Sequence, residues 1–89
     1  MKVESTKYNI EIVENDEYDE NYEVCVQPKT DDSDAIVQCE AWLDEANLSP
    51  DVFDGWEDTS TKPTTFRVFY PRSTTAVDEL AESVKSKFC

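Results

Sequence analysis

The chain has 89 residues, 21 acidic and eight basic with no histidine, for a formal net charge of −13. That length holds one small domain, residues 1–89, around a single core. With 38% apolar residues and ten aromatics it is too rich for a disordered acidic tail, and its charge opposes direct contact with nucleic acid or anionic lipid.

Met1 to Lys7 has no apolar run behind its lysines, so no signal peptide is expected. Nowhere do eighteen apolar residues follow one another, so no membrane span is expected either. Tyr8 to Glu14 alternates apolar and polar and predicts a half-buried strand with Tyr8, Ile10 and Ile12 on one face. Asn15 to Asn21 is a polar loop of hairpin length without glycine. Tyr22 to Gln27 alternates again, with Tyr22, Val24 and Val26 inward, and Pro28 ends it. These two strands most simply pair antiparallel.

Thr30 to Asp34 is rich in helix-capping residues. A helix from about Asp34 to Asn47 follows, with Ala35, Ile36, Cys39, Trp42, Leu43 and Ala46 as its apolar stripe. Ser49-Pro50-Asp51 reads as a second cap. It predicts a short helix through Asp54, stopped by Gly55, with Phe53 and Trp56 anchored on the core. Glu57 to Thr64 is a polar connection. Thr65 to Tyr70 predicts a third strand with Phe66, Val68 and Tyr70 on one face, closed by Pro71. Ser73 to Thr75 caps a last helix, Thr75 and Asp78 forming a capping-box-like pair. Its core stripe is Val77, Leu80, Ala81, Val84 and Phe88, and its charges follow the helix dipole. The expected fold is α+β: a three-stranded, mainly antiparallel sheet, with two main helices and one short helix packed on one face. The expected order is strand, strand, helix, short helix, strand, helix.

The chemistry that the chain lacks excludes most enzyme classes. Without histidine it has neither the commonest acid–base group nor the commonest zinc nitrogen ligand. One glycine excludes glycine-rich phosphate loops. Cys25, Cys39 and Cys89 are odd in number and widely spaced, which predicts reduced thiols and a cytoplasmic protein. The acidic runs at Asp16–Glu20 and Asp31–Asp34 lack the central glycine and ligand spacing of a calcium loop. No enzyme activity, cofactor or metal site is expected.

The distribution of charge is the strongest signal. Residues 1–58 hold eighteen acids against Lys2, Lys7 and Lys29, while the remaining residues hold five basic side chains against three acids. Halophilic adaptation would spread the acidity evenly. Folding itself has no use for a single-sign field, which acts on solubility and association. Three clusters carry it. The loop cluster is Glu14, Asp16, Glu17, Asp19 and Glu20, with Tyr18 placed to stack on a partner's arginine. The helix-start cluster is Asp31, Asp32 and Asp34, where caps also attract acids. The third is Glu40, Asp44, Glu45, Asp51, Asp54, Glu57 and Asp58. In it, Asp44 and Glu45 oppose the helix dipole and so have no local use. Carboxylates two apart on a strand or three to four apart on a helix form rows of negative charge. Such a row presents to a basic protein what a phosphate backbone presents. Arg67 and Arg72 read as offsets to nearby acids.

In size, acidity, missing catalytic residues and compact α+β pattern, the chain resembles the small phage-encoded DNA-mimic inhibitors. These are the anti-CRISPR, anti-restriction and uracil-DNA-glycosylase-inhibitor proteins. The resemblance spans the whole chain in composition and organisation, without a shared motif, and so transfers no residue roles. It implies a stoichiometric inhibitor, first of all an anti-CRISPR protein; the sequence leaves the oligomeric state open, with a monomer favoured. Its partner would be a basic nucleic-acid-binding protein or ribonucleoprotein complex of the host. The alternative is an antitoxin or adaptor that binds a basic protein without excluding nucleic acid. A self-associating virion protein is the third reading.

Overall fold

Period-two alternation places Tyr8, Ile10 and Ile12 on one side of a strand, opposite Val24 and Val26 of the next, and all five are buried. The computed structural model describes residues 1–16 and 19–88. Glu17 and Tyr18 of the loop cluster, and Cys89, lie outside the described residues.

The elements are β1 (Lys2–Val3), β2 (Tyr8–Asn15), β3 (Asn21–Pro28), α1 (Ser33–Leu48), β4 (Asp54–Asp58), β5 (Thr65–Pro71) and α2 (Val77–Phe88). The described strands form one antiparallel sheet in the order β1-β2-β3-β5-β4. The α+β class stands, but the expectation of three strands and a third, short helix does not. The sheet has five strands, because two short strands line its edges. β1 is two residues long, too short to show alternation, and is fixed by pairing Lys2 with Glu11 and Val3 with Ile10.

The short helix expected from Pro50 is replaced by a turn and β4. Ser49 ends α1 in an extended conformation, and its hydroxyl accepts the Asp51 N–H at 3.2 Å. The Phe53 N–H then donates to the Phe69 carbonyl at 2.9 Å. The free edge of β5 takes the backbone groups that a helix would have used internally. Gly55 is not a helix stop and has no positive φ. A Cβ there would stand 2.9 Å from Asn47 Oδ1 and 3.0 Å from Leu43 Cδ1, so the glycine lets β4 run close beneath α1.

The β2–β3 hairpin closes without glycine because two asparagines hold its base. Asn15 Nδ2 donates to Asn21 Oδ1 at 2.9 Å, and Asn21 Nδ2 to the Asp19 carbonyl at 2.7 Å. α1 begins one residue before the expected position, with Asp32 as N-cap accepting the Asp34 N–H at 3.1 Å. α2 begins with Leu80 N–H donating to the Ala76 carbonyl at 3.0 Å, so Ala76, not Thr75, holds the cap position.

Both helices cover the same sheet face. Ala35, Cys39, Trp42, Leu43 and Ala46 of α1, with Leu80, Val84 and Phe88 of α2, meet the inward residues of β2, β3 and β5. Phe88 sits edge-on to Tyr8 and Trp42, with ring centroids 4.9 and 5.4 Å apart. Gln38 links the layers, accepting from Tyr8 Oη at 2.5 Å and donating to the Lys87 carbonyl at 2.7 Å. Among the described residues, no helix covers the opposite sheet face.

Candidate functional site

On that opposite face the strand registers align Glu11 of β2, Glu23 and Cys25 of β3, Arg67 and Phe69 of β5, and Trp56 and Asp58 of β4. Arg67 is its centre. Its Nη1 donates to Glu23 Oε2 at 2.7 Å and to Cys25 Sγ at 3.1 Å. Its Nε and Nη2 donate to Asp58 Oδ2 at 3.1 and 3.0 Å. The guanidinium carbon lies 5.8 Å from the centroid of the Trp56 ring. Burial lowers the Arg67 pKa, the hydrogen bonds to Glu23 and Asp58 raise it, and the net shift is upward. Asp58 is held below its ordinary range by hydrogen bonds from Ser60 and then from Arg67. Burial, and then Glu23, pushes the Cys25 thiol up to about 12. Cys39 in the core is also pushed up to about 12, by burial and Glu40. Both are free and stay protonated at neutral pH, so neither is a poised nucleophile.

Three aromatics continue outward from Arg67. Trp56 stacks on Phe69 at 6.5 Å and 16°, and Phe53 meets Phe69 edge-on at 6.1 Å and 73°. Phe53 and Trp56 are 51% and 44% exposed, so the expectation that they anchor the core is overturned. Once the segment becomes an edge strand, parity turns Trp56 away from the helices.

The sequence-predicted acids divide by position. The hairpin end and the turn after α1 meet at one end of the sheet, where Asp19 and Glu20 line a surface cavity of about 550 Å³ with Phe53, Pro71 and Ser73. Asp51 and Asp54 lie in that turn and at the start of β4, both exposed. Glu14 and Asp16, on the same hairpin, are held by Arg72. Its Nη2 stands 2.7 Å from Glu14 Oε1, its Nη1 reaches Asp16, and its guanidinium lies 5.8 Å from the Tyr22 ring centroid. Asp31, Asp32 and Asp34 sit beyond the other end of β3, a strand length of roughly 24 Å away. Glu40 and Asp44 occupy the exposed side of α1, and Glu45 pairs with Lys87 at 2.5 Å. The predicted clusters therefore do not form one continuous row. Both arginines offset acids of the first 58 residues.

Sequence reasoning missed the aromatic strip and the Arg67 cluster. A signal was present: Arg67 and Phe69 share a parity opposite to Phe66 and Val68, so an outward cation and ring were predictable from that strand alone.

Among the described residues, no three acidic or cysteine side chains converge as a metal site would require. No helix among them is long and apolar enough to cross a membrane. Comparison with protein-family models, curated proteins and solved structures finds no match.

Proposed function

We propose that the chain is a stoichiometric inhibitor that offers carboxylates in place of phosphates to the nucleic-acid-binding surface of a basic host protein. An anti-CRISPR protein acting in the host cytoplasm is the foremost form of this reading. One observation carries it: a folded domain of 89 residues keeps most of its eighteen N-terminal acids on the surface. Among the described residues, Glu14, Asp16, Glu23, Glu45 and Asp58 pair with only three cations, Arg67, Arg72 and Lys87. The hairpin end supports it further, since Asp19, Glu20, Asp51 and Asp54 stand exposed on short, tied turns, and Asp19 and Glu20 share one cavity. Fixed carboxylates of this kind attract and orient a cationic surface, with a strong dependence on salt.

Capture of the partner from a phage-host lysate, followed by competition with its nucleic acid, tests the proposal. The chain should displace the nucleic acid at a one-to-one ratio and lose potency steeply as salt rises. Changing Asp16, Glu17, Asp19 and Glu20 to their amides should abolish the displacement; an undiminished effect would refute mimicry. The exposed Phe53 and Trp56 favour a second reading, an adaptor or antitoxin that uses apolar contacts. It predicts a ternary complex in the same assay, with nucleic acid still bound.

A further inference from the structure

Two arginines, Arg67 on the uncovered sheet face and Arg72 just past the end of β5 beside Tyr22 on the helix side, are bound in the same way. Arg67 lies over Trp56 and between the carboxylates of Glu23 and Asp58. Arg72 lies over Tyr22 and binds those of Glu14 and Asp16. Each guanidinium combines an aromatic face with two carboxylates, the combination that its planar fork and weak hydration favour. A third set of the same composition stands at the end of the aromatic strip. Phe53 presents a half-exposed ring to the cavity of about 550 Å³ that Asp19 and Glu20 also line. Among the described residues no ion pair engages Asp19 or Glu20, although Arg72 feels Glu20 at longer range.

We infer that this strip, from Trp56 to Phe53, is a docking surface for a basic segment of a partner protein, and that an arginine of that segment seats on Phe53 beside Asp19 and Glu20. The inference rests on the basic partner proposed above and assigns its contact point. Charge complementarity selects the occupant. The strip is rimmed by the exposed acid Asp54 of β4, registered with Phe69, as well as by the hairpin acids. A second copy of a chain carrying −13 is repelled from it. An apolar peptide would leave the carboxylates without a counter-charge. Lysine satisfies the charge but is a compact, strongly hydrated cation that stacks on a ring less well than a guanidinium does.

The test titrates the intact chain with octa-arginine and with octa-lysine at 0.15 M salt, following binding by calorimetry and the Trp56 indole by NMR. Octa-arginine should bind roughly three- to tenfold more tightly, the range that a partly exposed cation–π contact supplies. Phe53→Leu, which keeps the bulk and removes the ring, should erase most of that difference. Glu40→Gln with Asp44→Asn, on the far side of α1, should weaken both peptides equally. Equal affinities for the two peptides, or a difference that survives Phe53→Leu, overturns the inference. So does a Phe53-dependent dimer in size-exclusion chromatography, which would make a second copy the occupant. Arginine selectivity that depends on Phe53, with no displacement of nucleic acid from the captured partner, keeps the docking surface and refutes mimicry. Displacement that survives Phe53→Leu, with no selectivity, does the reverse.

Discussion

Phe66 and Phe69 stand three residues apart in β5 and lead opposite lives. Phe66 faces α1 and α2 and is 1% exposed, while Phe69 faces outward between Trp56 and Phe53. The core of the covered face is apolar from β2 to β5, and polar contacts such as Tyr8 to Gln38 and Asn47 to the Gly55 carbonyl link it to α1. The uncovered face alternates rings with ionised groups, and Arg67 ties β3, β4 and β5 together by charge-assisted hydrogen bonds. One face is held by exclusion of water, the other by pairing charges that water still reaches. The difference places the core on one side of a five-stranded sheet and leaves the other side free to act.

The largest expected effect contrasts the two faces directly. Phe66→Ala should cost about 3–5 kcal/mol in urea unfolding, since it empties a fully buried site. Trp56→Ala should cost about 1 kcal/mol or less, because its ring is half in solvent already. Similar losses from both variants would mean that the uncovered face is also a core.

Arg67→Met comes next, with an expected cost of about 1–3 kcal/mol, the range for hydrogen bonds to charged groups. It leaves Glu23 and Asp58 facing one another without their cation. Asp58 gives this cluster a pH signature. Its pKa is depressed below the ordinary 3.8, first by the Ser60 hydroxyl. A depressed carboxyl contributes stability that is complete above its unfolded pKa and is lost as pH falls through the folded one. Acid unfolding followed by circular dichroism should therefore be steeper below about pH 4 in the parent chain than in Asp58→Asn. Identical acid limbs would show that the Asp58 contacts contribute nothing to folding.

The smallest effect separates the paired charges around Arg67 and Arg72 from the exposed acids at the margins. Salt screens the ion pairs and the mutual repulsion of the acids alike. With 21 acids to eight bases, repulsion outweighs attraction. Moving from 0.02 to 0.5 M NaCl should raise the thermal midpoint by a few degrees, about 1 kcal/mol for a domain of this size. A midpoint that falls would make the Arg67 and Arg72 clusters, not the exposed acids, the dominant electrostatic term.

Much of the fold was legible because it is written in short-range periodicity. Strict alternation identified β2, β3 and β5, and the three-to-four spacing of Cys39, Trp42, Leu43 and Ala46 identified α1 and its buried stripe. β4 was misread because Ser-Pro-Asp is a good helix start and Asp54 to Asp58 has no alternating apolar residues to mark a strand. Competition from the edge of β5, forty residues from its partner strand β3, decided the matter. The candidate site was legible in its charge and not in its geometry. Asp31 to Asp34 look close along the chain to Asp16, Asp19 and Glu20, yet β3 sets them a strand length apart. Asp51 and Asp54 look remote from the hairpin, yet the β3–β5 pairing of Asn21 with Pro71 brings their turn to the same end of the sheet.

Local periodicity and composition determined that this chain folds, which side of each long strand and helix is buried, and that its surface is strongly negative. Those properties depend on neighbours within a few residues or on simple sums of charge. Strand order, the conversion of a helix-like start into an edge strand, and the meeting of Phe53 with Asp19 and Glu20 came only from the tertiary structure. They depend on which distant backbone groups find hydrogen-bond partners, a contest that the whole sheet settles at once.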